Sequence, residues 1–320
     1  MKLAILGTGL IVRTVLPVLE EIEGIELVSI LSTPRSIAIG EELAQTYSIA
    51  QATSSFDDIL SNPEIDTVYV ALPNHLHFDY AKKALQSGKH VICEKPFTMT
   101  FAEFEDLAAI AKEKNLILLE AITNQYRANF QFVKDNLQKL GDIKIVECNF
   151  SKYSSRYDAF LRGEIAPAFD PAQGGGALRD LNIYNIHFVV GLFGQPERVQ
   201  YLANMENSID TSGMLTMDYG TFKVVCIAAK DSNSEVNSTI QGVKGILSIN
   251  GSISTVPEVA ITLNGQDSEI TDLNTEKHHM YDEFVAFEAI IAKRDFDSAK
   301  SALEHSHLVM KVLDEAVASI

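Results

Sequence analysis

The chain has 320 residues, 46% of them apolar and 22% charged, and a formal net charge of −17. That length suggests about two domains with a large core, and the acid excess argues against nucleic acid or an anionic membrane surface as a partner. No apolar run approaches the roughly 20 residues of a membrane span. The opening MKLAILGTGLIV is broken by Gly7 and Gly9 and is followed by no small-residue cleavage site, so it reads as a first strand in a cytoplasmic protein.

Residues 2–6 (KLAIL) are an apolar run ending at Gly7, Thr8 and Gly9, and an apolar-periodic stretch continues to Ile22. This is strand, glycine turn, helix. Two glycines of the G-x-G-x-x-G fingerprint are present and Val12 stands in the third place. The first glycine permits the tight turn. The second lets backbone approach a pyrophosphate at a helix N-terminus, and the third only eases packing. Gly7, Thr8, Gly9, Leu10 and Ile11 are therefore the candidate phosphate cradle. The next strand, 25–31 (IELVSIL), runs into Ser32, Thr33 and Arg35. An NAD site wants an acid here for the ribose 2′-OH. Hydroxyls with a guanidinium suit a 2′-phosphate instead, which favours NADP and leaves NAD open. A solvated turn arginine is the plain alternative.

A helix is expected over 37–47. Then come 56–60 (FDDIL) and 66–72 (DTVYVAL), the latter counted as the fourth buried run. Asn74 is placed as the N-cap of a helix over 75–87, and Leu72, Pro73, Asn74 and His77 beside a nicotinamide ribose. Residues 90–94 (HVICE) form a fifth strand that opens directly into Lys95 and Pro96, so Glu94 and Lys95 stand where ligands bind in an open parallel sheet. A helix over 101–114 carries Thr100 and Glu103 in capping-box positions. Residues 116–120 (LILLE) are the sixth strand. Strands alternating with helices imply a parallel sheet with right-handed crossovers, here a Rossmann domain over residues 1–122.

Past Ala121 the pattern changes, and residues 123–320 read as a second, α+β domain. It begins with a helix over 130–140 and an alternating strand over 143–153. An arginine-bearing loop then leads to Gly174, Gly175 and Gly176, which suit close approach of backbone to a ligand or to the first domain. On the helix that follows, Asp180, Tyr184 and His187 fall at spacings of four and three, on one face. From 198 to about 263, short alternating runs separated by Gly, Asn and Asp form an antiparallel meander. Two helices, 277–293 and 299–319, close the chain. A large, mostly antiparallel sheet with one open face tends to pair with a copy of itself. Cys93, Cys148 and Cys226 lie far apart with no metal or disulfide spacing, so buried free thiols are expected, with a reactive Cys93 as the alternative. His278 and His279 have no acidic partner at metal spacing, so no metal is expected.

GTGLI near the start, ALPNHLH at 71–77, GKHVICEKP at 88–96, LLEA at 118–121 and GGGALRDLNIY at 174–184 together resemble the Gfo/Idh/MocA family of nicotinamide-dependent oxidoreductases. The chain is most similar to the branch that holds dihydrodiol dehydrogenases, xylose dehydrogenases and glucose–fructose oxidoreductases. That branch tends to carry Tyr where many inositol dehydrogenase relatives carry His, and Tyr184 stands there. The resemblance implies a small-molecule sugar, cyclic polyol or diol as substrate, and a homodimer or dimer of dimers built through the open sheet. Two departures stand out: Val12, and Asn182 where relatives often have Gly. Asn tolerates left-handed backbone better than most residues.

Hydride chemistry belongs to the cofactor, and the protein has to place the carbon and move a proton. A free phenol has a pKa near ~10, and a nearby ammonium lowers it. Lys95 and Tyr184 are thus the candidate acid/base pair, either one the formal proton carrier, with Asp180 orienting Lys95 or binding a substrate hydroxyl. Glu94 is assigned to the ribose or to Lys95, and Arg127 is a candidate to point into a cleft. A nucleotide-binding regulator that kept this fold and lost catalysis is the alternative from another class.

Overall fold

In the computed structural model, which describes Met1–Ile320, six short strands of the N-terminal part line up side by side. They are β1 (Lys2–Leu6), β2 (Glu26–Leu31), β3 (Gln51–Thr53), β4 (Thr67–Val70), β5 (His90–Glu94) and β6 (Leu118–Ala121). Every pairing is parallel, in the order β3-β2-β1-β4-β5-β6. This is the doubly wound Rossmann order, whose ligand crevice lies at the strand carboxyl ends where the order reverses, here between β1 and β4. Strands covered on both faces read as continuous apolar runs, and β4 and β5 are buried at every position.

The crossovers are α1 (Leu10–Glu20), α2 (Ile37–Thr46), α3 (Phe56–Ser61), α4 (His77–Gln86) and α5 (Phe101–Lys114). Two elements differ from the sequence expectation. FDDIL is α3 rather than a strand: Ser55 Oγ accepts from the Asp58 N–H (3.3 Å), and Asp57 and Asp58 occupy the first turn. A serine cap and first-turn acids both favour a helix, and the third strand is the preceding Gln51–Thr53. Asn74 is not a cap. It opens a 3-10 turn, Asn74–Leu76, after which α4 starts at His77. In α5 the expected capping box is complete, with Thr100 Oγ1 accepting from Glu103 N and Glu103 Oε2 from Thr100 N.

This first unit comprises Met1–Ala121 and also Lys277–His307, a segment that the sequence reading placed in the second domain. Its Tyr281–Lys293 helix sets Phe284 edge-on to Tyr69, with ring centroids 5.3 Å apart. The aromatic contact explains the recruitment: Tyr69 is wholly buried in β4 and needs a cover.

The second unit, Ile122–Glu276 with Leu308–Ile320, contains α6 (Ala128–Asn136), β7 (Ile143–Ser151), α7 (Tyr157–Leu161), α8 (Ile183–Phe193) and β8 (Arg198–Glu206). It continues through β9 (Ile209–Asp218), β10 (Lys223–Ala229), β11 (Asn237–Gly242), β12 (Gly245–Asn250), β13 (Val259–Leu263) and β14 (Glu269–Thr271). The α6 helix is shorter than expected, and a 3-10 turn, Leu137–Leu140, completes that stretch. The eight-stranded sheet has the order β14-β13-β12-β11-β7-β10-β9-β8. It is antiparallel except at its centre, where β10 runs parallel to β7 with Cys226 opposite Cys148. One face is packed by α8 over Val146, Cys148, Val224 and Cys226. On the other, the paired Leu202 and Met214 are 50% and 44% exposed. The remaining helices are α9 (Tyr281–Lys293) and α10 (Phe296–Ala318).

Candidate active site

Parallel register brings the expected cofactor residues to one edge of the first sheet. Leu6, Leu31, Val70 and Cys93 lie across from one another, so Gly7, Ser32, Ala71 and Glu94 form the next row. Gly7 has φ +113°, and a Cβ there would stand 2.6 Å from the Ala71 carbonyl oxygen. Only glycine fits. Gly9 instead has open space where a Cβ would be, and it caps α1 with extended backbone and no side-chain acceptor. No acid occupies the first turn of α1. The first-turn N–H groups of such a helix are left for an anion, and Thr8, Leu10 and Ile11 flank them; Leu10 is 73% exposed. Val12 is wholly buried and serves packing.

At the end of β2, Ser32 is buried with its Oγ unpartnered. The Thr33 and Ser36 hydroxyls are 2.9 Å apart, Ser36 Oγ accepts from the Thr33 N–H, and Arg35 is exposed beside them. An orphaned hydroxyl, an exposed guanidinium and no acid within 32–36 fit a phosphorylated ribose.

Past β4, Leu72 lies against Gly7, followed by exposed Pro73 and half-buried Asn74. His77 departs from expectation. It is wholly buried rather than open to a ribose, and its ring nitrogens meet main-chain carbonyls: Nε2 that of Leu72 at 2.8 Å, Nδ1 that of Pro96 at 3.0 Å. Burial lowers its pKa, against the pull of the carbonyls toward the protonated ring. It fastens the turn after β4 to the turn after β5.

The end of β5 pairs a buried acid with a half-buried lysine. Glu94 is 8% exposed, and Tyr69 Oη donates to its Oε1 at 2.5 Å. Burial raises the Glu94 pKa, while the Tyr69 hydroxyl and the Lys95 ammonium oppose the rise. Burial also lifts the Tyr69 phenol well above its ordinary range. Cys93 next door is wholly buried, with Sγ 3.6 Å from the Phe97 carbonyl. Burial pushes that thiol up too, which disfavours the thiolate a reactive cysteine needs. All three cysteines are buried and free.

In the second unit the glycine run packs against its own chain. A Cβ on Gly175 would lie 2.8 Å from backbone atoms of Pro167, Ala168 and Asp170, and one on Gly176 (φ +108°) would overlap the Asp210 carboxylate. Asp210 accepts from Leu178 N (2.6 Å) and Tyr201 Oη (2.8 Å) and so anchors the following turn. That turn, Leu178–Asn182, is π-helical and leads into α8. Such bulges recur at functional sites.

Asp180 and Tyr184 flank this junction. Asn182 sits in it with φ −67°, so left-handed tolerance is not what it supplies. Its Nδ2 donates to Cys226 O (3.1 Å), and its Oδ1 accepts from Asn185 Nδ2 (2.8 Å). Asn185 also donates to Ile227 O (3.0 Å), so the two amides pin the helix start to β10. Asp180 Oδ2 is 2.8 Å from Lys230 Nζ. Tyr184 is half-buried and edge-on to Phe150, with centroids 5.8 Å apart. His187 is wholly buried in the core, as is Arg127 nearly so at 6% exposed.

Sequence reasoning missed four residues that hold these groups. Asn124 Nδ2 donates to Tyr184 O (2.9 Å) and Gln125 Nε2 to His187 O (3.0 Å), fixing α8 from the chain just after β6. Tyr69 braces Glu94, and Lys230 holds Asp180. Only Lys230 carried a signal: CIAAKD ends an apolar strand in charges as VICEK does.

A family model described as an oxidoreductase family with a NAD-binding Rossmann fold matches residues 1–122. A second, the GFO/IDH/MocA C-terminal domain, matches residues 131–248. The chain is 32% identical over 318 residues to the scyllo-inositol 2-dehydrogenase (NADP(+)) IolU of Bacillus subtilis, covering 98% of this chain and 95% of that protein. It is 26% identical over 296 residues to a trans-1,2-dihydrobenzene-1,2-diol dehydrogenase of Xenopus tropicalis, covering 88% and 87%. In fold it matches KijD10, a 3-ketoreductase from Actinomadura kijaniata solved with NADP and TDP-benzene, at a TM-score of 0.86 and 21% identity over 100% of this chain and 97% of that one.

Proposed function

The chain belongs to the Gfo/Idh/MocA family of nicotinamide-dependent oxidoreductases, and from that premise we propose that it interconverts a secondary alcohol and its ketone on a cyclic polyol, sugar or diol, with NADP preferred over NAD. The observation behind this reading is the carboxyl edge of the parallel sheet, where Gly7, Ser32 and Glu94 stand in one row next to Lys95.

Bound nicotinamide supplies the hydride donor or acceptor. Gly7, Thr8, Gly9, Leu10 and Ile11 would hold the pyrophosphate; Ser32, Thr33 and Arg35 the 2′-phosphate; Leu72, Pro73, Asn74 and Glu94 the nicotinamide ribose. Lys95 would orient the reacting oxygen and supply positive charge beside it. Tyr184 exchanges the hydroxyl proton. Asp180 accepts a hydrogen bond from a neighbouring substrate hydroxyl. Val12 and Asn182, the departures that would suit an inactive paralogue, have packing and hydrogen-bonding duties instead. We assign the protein to the cytoplasm, where its free thiols stay reduced, as a homodimer joined through the sheet face that bears Leu202 and Met214. Sedimentation equilibrium tests the assembly, and a monomer at micromolar concentration would contradict it.

The test of function is fluorescence titration with NADPH and NADH side by side, then a turnover screen of scyllo-inositol, trans-1,2-dihydrobenzene-1,2-diol and D-xylose. NADPH binding about tenfold tighter or more and turnover of at least one substrate are expected. Tighter NADH binding overturns the assignment of Arg35, and cofactor binding with no turnover of any of the three overturns the substrate class.

A further inference from the structure

The 2% exposed Lys230 follows β10, and nothing in the proposed mechanism uses it. Its ammonium meets Asp180 Oδ2 at 2.8 Å and the Ala168 carbonyl at 2.5 Å, and lies 4.5 Å from the centroid of the Phe169 ring. Its backbone is tied as well: its N–H donates to Thr211 O (2.8 Å), and its carbonyl accepts from Ser154 N (2.8 Å). One residue therefore holds both ends of the segment 154–168, the start through its carbonyl and the finish through its ammonium. Phe160, within that segment, stacks on Phe169 just past its end, with centroids 4.9 Å apart. The Ala168 carbonyl also accepts from Gly176 N (3.1 Å), two residues before the π-turn that carries Asp180. Asp210, which anchors the turn, feels the same positive charge.

A buried ammonium is tolerated only when fully paired. The pairing works both ways, because it fixes the rotamer of the carboxylate and the position of the loop. We propose that Lys230 is a positioning residue that orients the Asp180 carboxylate toward the substrate and closes the 154–168 loop, and through both sets which hydroxylated substrates the enzyme accepts. This rests on the reading of Asp180 as a substrate-hydroxyl acceptor. A site built to bind a hydroxyl discriminates strongly through that group, and a carboxylate free to swing loses that discrimination.

The experiment compares Lys230→Met, Lys230→Arg, Asp180→Asn and the Lys230→Met/Asp180→Asn double variant with wild type, using scyllo-inositol and NADP. Lys230→Met is expected to raise KM for scyllo-inositol about tenfold or more, with kcat within about fivefold and the NADPH Kd unchanged. Lys230→Arg should recover part of the loss. The double variant should be no worse than Asp180→Asn alone, because contacting residues couple. Amide exchange at Gly175 and Gly176 should accelerate in Lys230→Met. Should Lys230→Met not fold, Lys230→Arg takes its place in the cycle, and Gly175 and Gly176 exchange is read on it. Without scyllo-inositol turnover, unchanged exchange at these glycines overturns the loop assignment by itself. Wild-type KM in Lys230→Met, or additive losses in the cycle, overturn the role of Lys230. Wild-type KM in Asp180→Asn overturns the reading of Asp180 instead.

Discussion

Two strands in different units end alike. β5 runs HVICE into Lys95, and β10 runs KVVCIAA into Lys230 and Asp231. Both lysines follow buried apolar segments and stand beside an acid, yet their surroundings differ. Lys95 is half-buried, and the acid before it, Glu94, is turned inward onto Tyr69. Lys230 is 2% exposed and committed to a carboxylate, a carbonyl and a ring face. The local pattern announces a charge at a strand end. Whether that charge serves chemistry or architecture is decided by what distant parts of the chain bring to it.

The largest effect that separates the two lies in kcat. Lys95→Met should lower kcat at saturating polyol by about a thousandfold or more, the scale of lost acid/base and electrostatic help, with the NADPH Kd within a few-fold. Lys230→Met should act through KM. Steady-state kinetics on both variants decides it, and similar kcat losses would erase the distinction. Next in size, Arg35→Ala should weaken NADPH binding about 10- to 100-fold and leave NADH nearly unchanged, as loss of a charge-assisted phosphate contact of roughly 1.5–3 kcal/mol implies. An equal loss for both cofactors would mean that Arg35 supports the turn rather than the phosphate.

The smallest effect concerns stability. Folding raises the Glu94 pKa above its ordinary 4.5, chiefly through burial. A carboxyl raised in this way stabilises the fold while protonated. Its contribution is complete below the unfolded pKa and is lost as pH rises through the folded one. Glu94→Gln keeps an acceptor for Tyr69 and removes the ionisation. Its Tm relative to wild type should therefore climb as pH rises from about 4.5 toward neutrality. A flat difference across that range would show that burial does not govern this group.

Much of the first unit was legible because its signals are local. Gly7 and Gly9 stand between a strand and a helix, and the Thr100/Glu103 box starts α5 as written. FDDIL misled because a two-turn helix and a short strand share one apolar pattern, and Ser55 decided between them. The β7–β10 pair could not be read as parallel, since alternation is the same in either direction. The role of Lys230 was hidden for a plainer reason: its partners Asp180 and Ala168 lie 50 and 62 residues away in the chain. The same holds for the carbonyl staples of His77 and the amide staples of Asn124 and Gln125, which only the folded backbone presents.

The most direct measurement of what separates the two lysines is amine rescue. Lys95→Ala and Lys230→Ala are assayed for scyllo-inositol oxidation by NADP with increasing methylammonium. The account predicts that Lys95→Ala recovers turnover saturably, because a small ammonium can stand where a half-buried side chain met the reacting oxygen, and that Lys230→Ala, buried and held by three partners, recovers none. Rescue of Lys230→Ala alone, or wild-type turnover by Lys95→Ala before any amine is added, would contradict it.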